Sequence, residues 1–138
     1  MSIQQGVTAS FKQQMLQGQQ NLLTDSLKIA LYTAVSDIGA NTAVYTTDNE
    51  ITGTGYTAGG ADLLGASIAT DVNGVVYVNF DNVTWPGSQL TARGALIYNV
   101  TQSNASVAVL DFGSDKTMTN FTITMPANTS TTALIRFP

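Results

Sequence analysis

The chain has no cysteine and no histidine among its 138 residues. The first absence excludes a disulfide framework, thiol chemistry and cysteine-ligated zinc. The second excludes an imidazole base and a histidine metal site. Together they remove Ser-His-Asp triads, Cys-His dyads and most zinc enzymes. Charge is scarce as well, at 10% of residues, where about 25% is usual. The five basic residues stand singly in a chain of net charge -4. No basic patch exists to neutralise a phosphate backbone, so nucleic acid is not an expected partner. No apolar run nears the roughly 18 residues of a membrane span. The N-terminus has neither the charged nor the apolar region of a secretion signal, so neither a membrane nor export is expected. What fills the chain is neutral and polar: twenty Thr, ten Asn and nine Gln beside 43% hydrophobic residues. A weakly charged surface of this kind suits assembly into a larger particle.

Two stretches differ in composition. Residues 1–23 hold seven of the nine Gln. Val7, Phe11, Met15 and Leu16 recur there at helical spacing, predicting a short amphipathic helix over about 7–17. Thr8 or Ser10 is its candidate N-cap, and Gly18 its candidate C′ residue. This N-terminal helix or arm either packs on the body of the protein or docks on a partner. Residues 24–138 read as a single β-sandwich domain. Strands are expected at 27–32, 61–70 (Leu63 and Ile68 inward), 75–80 (Val76, Val78 and Phe80 on one face), 82–85 and 91–99. The apolar run 106–112 reads as a buried central strand, followed by strands at 117–125 and 131–137. Asp71-Val72-Asn73-Gly74 signals a type I′ hairpin, Pro86-Gly87, Ser103-Asn104, 113–116 and 126–130 signal turns, and 34–60 is a long connection with one helical turn at 43–48. Seven to eight short strands with turn signals about every ten residues predict an all-β fold, an antiparallel β-sandwich or jelly-roll-like domain with a short N-terminal helix.

The carboxylates offer little chemistry. Asp48 and Glu50 are the closest pair, but a glycosidase needs two acids across a cleft. Asp48 reads as a turn residue, and Glu50 as solvated or paired with Arg93. Asp111-Phe112-Gly113-Ser114-Asp115 lacks the closing bidentate acid of a calcium loop, so it reads as a β-turn. The glycine-rich run from Gly53 to Gly60 has no lysine for a phosphate loop and reads as structural. Catalytic, cofactor and metal sites are therefore all expected to be absent, and the chain is not expected to be an enzyme. Trp85 and Arg93 are the most informative single residues. Each fits either the fold (a core-edge indole; an ion pair of Arg93 with Glu50, Asp81 or Asp111) or a subunit interface, where both types are enriched.

Several segments resemble a widespread family of small virion structural proteins of tailed bacteriophages. They are Leu27-Lys28-Ile29-Ala30-Leu31-Tyr32-Thr33, Asn49-Glu50-Ile51-Thr52-Gly53-Thr54-Gly55-Tyr56-Thr57-Ala58-Gly59-Gly60, Val83-Thr84-Trp85, Thr91-Ala92-Arg93-Gly94-Ala95-Leu96-Ile97-Tyr98-Asn99 and Val109-Leu110-Asp111-Phe112-Gly113-Ser114-Asp115-Lys116, with Thr122-Ile123-Thr124-Met125-Pro126 and Ala133-Leu134-Ile135-Arg136 closing the chain. They run in order from about residue 11 to the end; the Gln-rich run 13–20 departs from the pattern. Some members resemble head decoration, or cement, proteins. The resemblance implies a virion component made in the cytoplasm of the bacterial host and placed on the outer capsid surface. There it would bridge and stabilise subunits of the major capsid protein, as a homo-oligomer for which a trimer fits. A tail or neck adaptor is the alternative, and a carbohydrate-binding module a lesser one. Partner contacts are expected from Phe11, Met15, Leu16, Tyr45 and Tyr56, with Trp85 and Arg93 at the fold or the subunit seam.

Overall fold

Thr8 separates the first two elements. Its extended backbone follows strand β1 (Gly6–Val7), and its hydroxyl accepts the N–H of Phe11, capping helix α1 (Ala9–Leu16). The helix is shorter than the expected 7–17 because Val7 is drawn into a sheet, pairing with Ala108. Gly18, at φ 72°, follows it in the left-handed conformation. The computed structural model describes residues 3–137.

The remaining strands are β2 (Leu27–Tyr32), β3 (Ala61–Leu63), β4 (Ser67–Thr70), β5 (Val76–Asn79), β6 (Val83–Thr84), β7 (Gln89–Asn99), β8 (Ala105–Thr119), β9 (Thr122–Ile123) and β10 (Ile135–Phe137). They form a five-stranded sheet in the order β1-β8-β7-β2-β3, a three-stranded sheet β10-β5-β4 and a two-stranded sheet β6-β9, with every pairing antiparallel. The protein is an all-β, sandwich-like fold with one short N-terminal helix. The large sheet is buried on both faces. On one, Ile29, Leu31, Ile97 and Val107 pack against Val78, Ile135, Val83 and Ile123 of the two smaller sheets. On the other, Tyr32, Leu96, Tyr98 and Val109 are covered by Ile3, Ile38 and Tyr45, from the N-terminal segment and the long connection. That connection is thus a third layer. Phe11 of α1 belongs to the main core, and the Thr8 hydroxyl bonds that of Ser106 at 2.8 Å.

Several expected elements are broken or merged. Residues 61–70 are two strands in different sheets, because Gly65 turns the chain at φ 72°. Leu63 points into the core as expected, but Ile68 is 44% exposed. The turn expected at 113–116 is instead a bulge inside β8. The register with β7 passes from Ala92↔Lys116 to Gly94↔Asp111, so residues 112–115 stand opposite Arg93 alone, with Gly113 at φ 80°. Residues 117–125 do not form one strand: Asn120, at φ 50°, ends β8, and β9 crosses to pair with β6. At the end of the chain only Ile135–Phe137 is strand. Residues 43–48 form no helical turn; Val44 makes a bridge to Ala105. The β4–β5 hairpin is present, but of its turn only Gly74 has positive φ, where type I′ needs two such residues.

Candidate functional site

The expected contact residues divide into two groups. Tyr45, Tyr56, Trp85 and Phe11 turn inward, whereas Met15 and Leu16 face out.

The inward group organises the long connection around Glu50. One Glu50 oxygen, Oε1, accepts from the Tyr45 hydroxyl at 2.5 Å. The other, Oε2, accepts from the Tyr56 hydroxyl and from the Gly59 N–H, the latter at 2.8 Å. Tyr56 Oη also accepts the Leu31 N–H at 3.0 Å, tying the arrangement to β2. Tyr98 of β7 donates to Gly59 O and Tyr32 of β2 to Thr46 O, each at 2.6 Å. The Tyr45 ring stacks on Tyr98 with centroids 4.7 Å apart. The expectation of a freely solvated Glu50, or one paired with Arg93, is not met: the half-buried carboxylate is held by protein donors. It is the buckle that fastens the third layer to the sheet. With three protein donors on its two oxygens, it is a structural acceptor. Asp48 lies exposed in a turn beside it.

Burial pushes the four phenols up, and the Glu50 carboxylate adds to the effect; Tyr98 is raised to about 12, and Tyr32, Tyr45 and Tyr56 lie still higher. An acid whose pKa rises on folding contributes stability that is complete below its unfolded value, about 10 for tyrosine. That contribution is lost as the pH climbs toward the folded value. Melting temperature should therefore fall steeply above about pH 10, with tyrosinate absorbance rising together with loss of near-ultraviolet dichroism. A titration in which most of the tyrosines ionise near 10 while the fold persists contradicts the buckle.

Trp85 is 4% exposed. It lies between Tyr56 and Phe121, each with ring centroids 6.1 Å away. Its indole is core, at the seam between the connection and β9. Arg93 reaches Asp111 at 3.8 Å and Asp115 at 3.9 Å. Asp111 is one of its three expected partners, and the pair of ion contacts spans the β8 bulge. Partly exposed contacts this long contribute little stability. The Asp111-to-Asp115 run is thus a bulge held by an arginine, and the Gly113 N–H donates to Asp111 Oδ1 within it. Among the described residues no group of three or more acids is placed to hold a metal ion, and no helix is long and apolar enough to cross a membrane.

The outward group marks an apolar groove of about 380 Å³ between α1 and the three-stranded sheet. Phe11, Met15 and Leu22 form one wall, and Ile68, Val76 and Phe137 the other. Met15 is 36% exposed on its rim, and Leu16 beside it is 85% exposed. Ile68 was not legible as a surface residue, because the alternation of its strand places it inward; Phe137 is half-buried against the core as its alternation suggests, and lines the groove as well. No family model, curated protein or solved structure matches this chain.

Proposed function

We propose that this chain is a non-enzymatic structural protein of a tailed-bacteriophage particle, a decoration protein that binds the outer shell and bridges subunits of the major capsid protein. The observation that supports this reading best is the groove beside α1. It is an apolar concavity whose lining residues Met15 and Ile68 stay exposed, with exposed Leu16 next to Met15 in the sequence, on a chain with few charges. Apolar surface of this kind marks a place where another macromolecule is buried. A Thr- and Asn-rich surround hydrogen-bonds across a seam without the desolvation cost of charges. The resemblance of the segments around residues 27–33, 49–60 and 91–99 to small virion proteins points the same way. A sugar-stacking role would need an exposed aromatic platform, and the one tryptophan is in the core.

The test is to disrupt particles, separate heads from tails and quantify this chain against the major capsid protein in each. Many copies per shell in the head fraction are expected. Stripped heads should rebind the wild-type chain but bind Leu16→Asp at least about tenfold more weakly, the equivalent of about 1.4 kcal/mol, with its melting temperature unchanged. Recovery with the tails at a few copies assigns the protein to the tail or neck instead.

A further inference from the structure

The large sheet has one edge that nothing in the described chain covers. β8 is fifteen residues long and pairs with β7 along most of its length, but on its other side β1 covers only Ala108 and Val109. Beyond the bulge, which backbone groups face outward follows from the hydrogen bonds at the start of β7. The Asn120 N–H donates across the ladder to Ser88 O at 2.8 Å, while the Gln89 N–H points away from β8, to Thr54 O at 3.2 Å. An antiparallel ladder alternates hydrogen-bonded with non-bonded pairs. Gln89↔Thr119 and Thr91↔Thr117 are then non-bonded pairs, so the N–H and C=O of Thr117 and Thr119 point out of the sheet. No partner for them exists among the described residues.

Two features show what fits this edge. Between the outward threonines, Met118 points to the opposite face, into a mainly apolar depression of about 210 Å³ lined by Phe112, Phe121 and Ile123, with Lys116, Thr122 and Thr124 at its sides. Lys116 is the only charge on this stretch of edge, so the edge can meet itself without a like-charge pair. We infer that the 117–119 edge of β8 pairs antiparallel with the same edge of a second copy, about a twofold axis through Met118. In that register Thr117 faces Thr119 of the other copy twice over, making four backbone hydrogen bonds. Met118 meets its counterpart over the apolar depression, where its flexible thioether adapts to an irregular gap. Lys116 falls opposite Asn120, so no like charges face each other. The contact is isologous and closes on itself, and the bulge at 112–115 keeps the ladder from running further along β8, as edge bulges do. It does not depend on any shell.

The chain has no cysteine, which makes the test direct. Met118→Cys should oxidise to a disulfide-linked dimer, because opposed residues of a non-bonded antiparallel pair have Cα atoms about 4.5 Å apart, within the range a disulfide spans. Val72→Cys, fully exposed at the β4–β5 hairpin tip, is the collision control and should cross-link at least about tenfold more slowly. In sedimentation over a concentration series the wild type should pass from monomer to dimer. Thr117→Pro removes an outward N–H that the β7–β8 ladder does not use, a place where an edge strand tolerates proline. It should weaken self-association at least about tenfold while the thermal melt stays close to wild type. Met118→Lys opposes two like charges and should do the same by another route. A wild type that stays monomeric throughout, cross-linking of Met118→Cys no faster than of Val72→Cys, or an oligomer insensitive to both substitutions overturns the inference.

Discussion

Gly60→Ala should destabilise the protein by about 3 kcal/mol or more, the sum of a left-handed conformation forced on a residue with a side chain, about 1–2 kcal/mol, and overpacking, about 1–3 kcal/mol. Gly60 has φ +85°, and a Cβ there would lie 1.9 Å from Ile29 O and 2.8 Å from Ala30 Cα. Both are backbone atoms of β2, which is held between β3 and β7. The obstacle therefore cannot swing aside as a side chain would. Gly74 is the control: its φ is +83°, but nothing lies within 4 Å of the added carbon, so Gly74→Ala should cost only the conformational part, about 1–2 kcal/mol. Urea unfolding of the two variants measures the difference. Equal midpoints would mean that β2 yields, and that the connection does not sit hard against it.

The second large effect is at Glu50. Glu50→Ala strands two tyrosine hydroxyls and the Gly59 N–H at once. Hydrogen bonds to a charged group contribute about 1.5–3 kcal/mol each. Water reaches this half-buried site and recovers part of the loss, so a total of about 3 kcal/mol is expected. The damage should be local first: protease should cut within 33–60 before the sandwich melts, since that connection is fastened to β2 and β7 through the same tyrosines. Glu50→Gln keeps one acceptor and should recover part of the loss. A Glu50→Ala variant within about 0.5 kcal/mol of wild type, with no new cleavage in the connection, would show that the stacked rings hold the layer without the carboxylate.

Strands with a clear two-residue alternation or a continuous apolar run were legible in the sequence: β2, β5, β7 and the first half of β8. So was the helix, with Thr8 one of two candidate caps and the one that the structure uses. Two of the misreadings share one cause. A glycine at positive φ permits a sheet change, as Gly65 does, or a bulge inside a strand, as Gly113 does. The local residues are alike in the two cases, and only the partner strand decides between them. Asn120, a non-glycine residue at positive φ, was missed because an asparagine among alternating residues looks like one more polar position. The candidate surface was legible only in part. Phe11, Met15 and Leu16 stood out together as one helical stripe, and their spacing does not show that Phe11 is buried while Met15 and Leu16 stay exposed. Tyr45 and Tyr56 looked equally available, because nothing in their spacing says that the connection folds back to bring both onto Glu50.

The strand order has a consequence for the order of events during synthesis. β2 is the inner strand between β3 and β7, and it is made early. Its long partner, Gly94–Asn99 of β7, follows only after some sixty further residues, roughly 3–12 s at ribosomal speeds of about 5–20 residues per second. Until then the only sheet neighbour of β2 to have been made is three-residue β3. A strand translated early thus waits for the partner that encloses it, and Lys28 is the only charge it carries while it does.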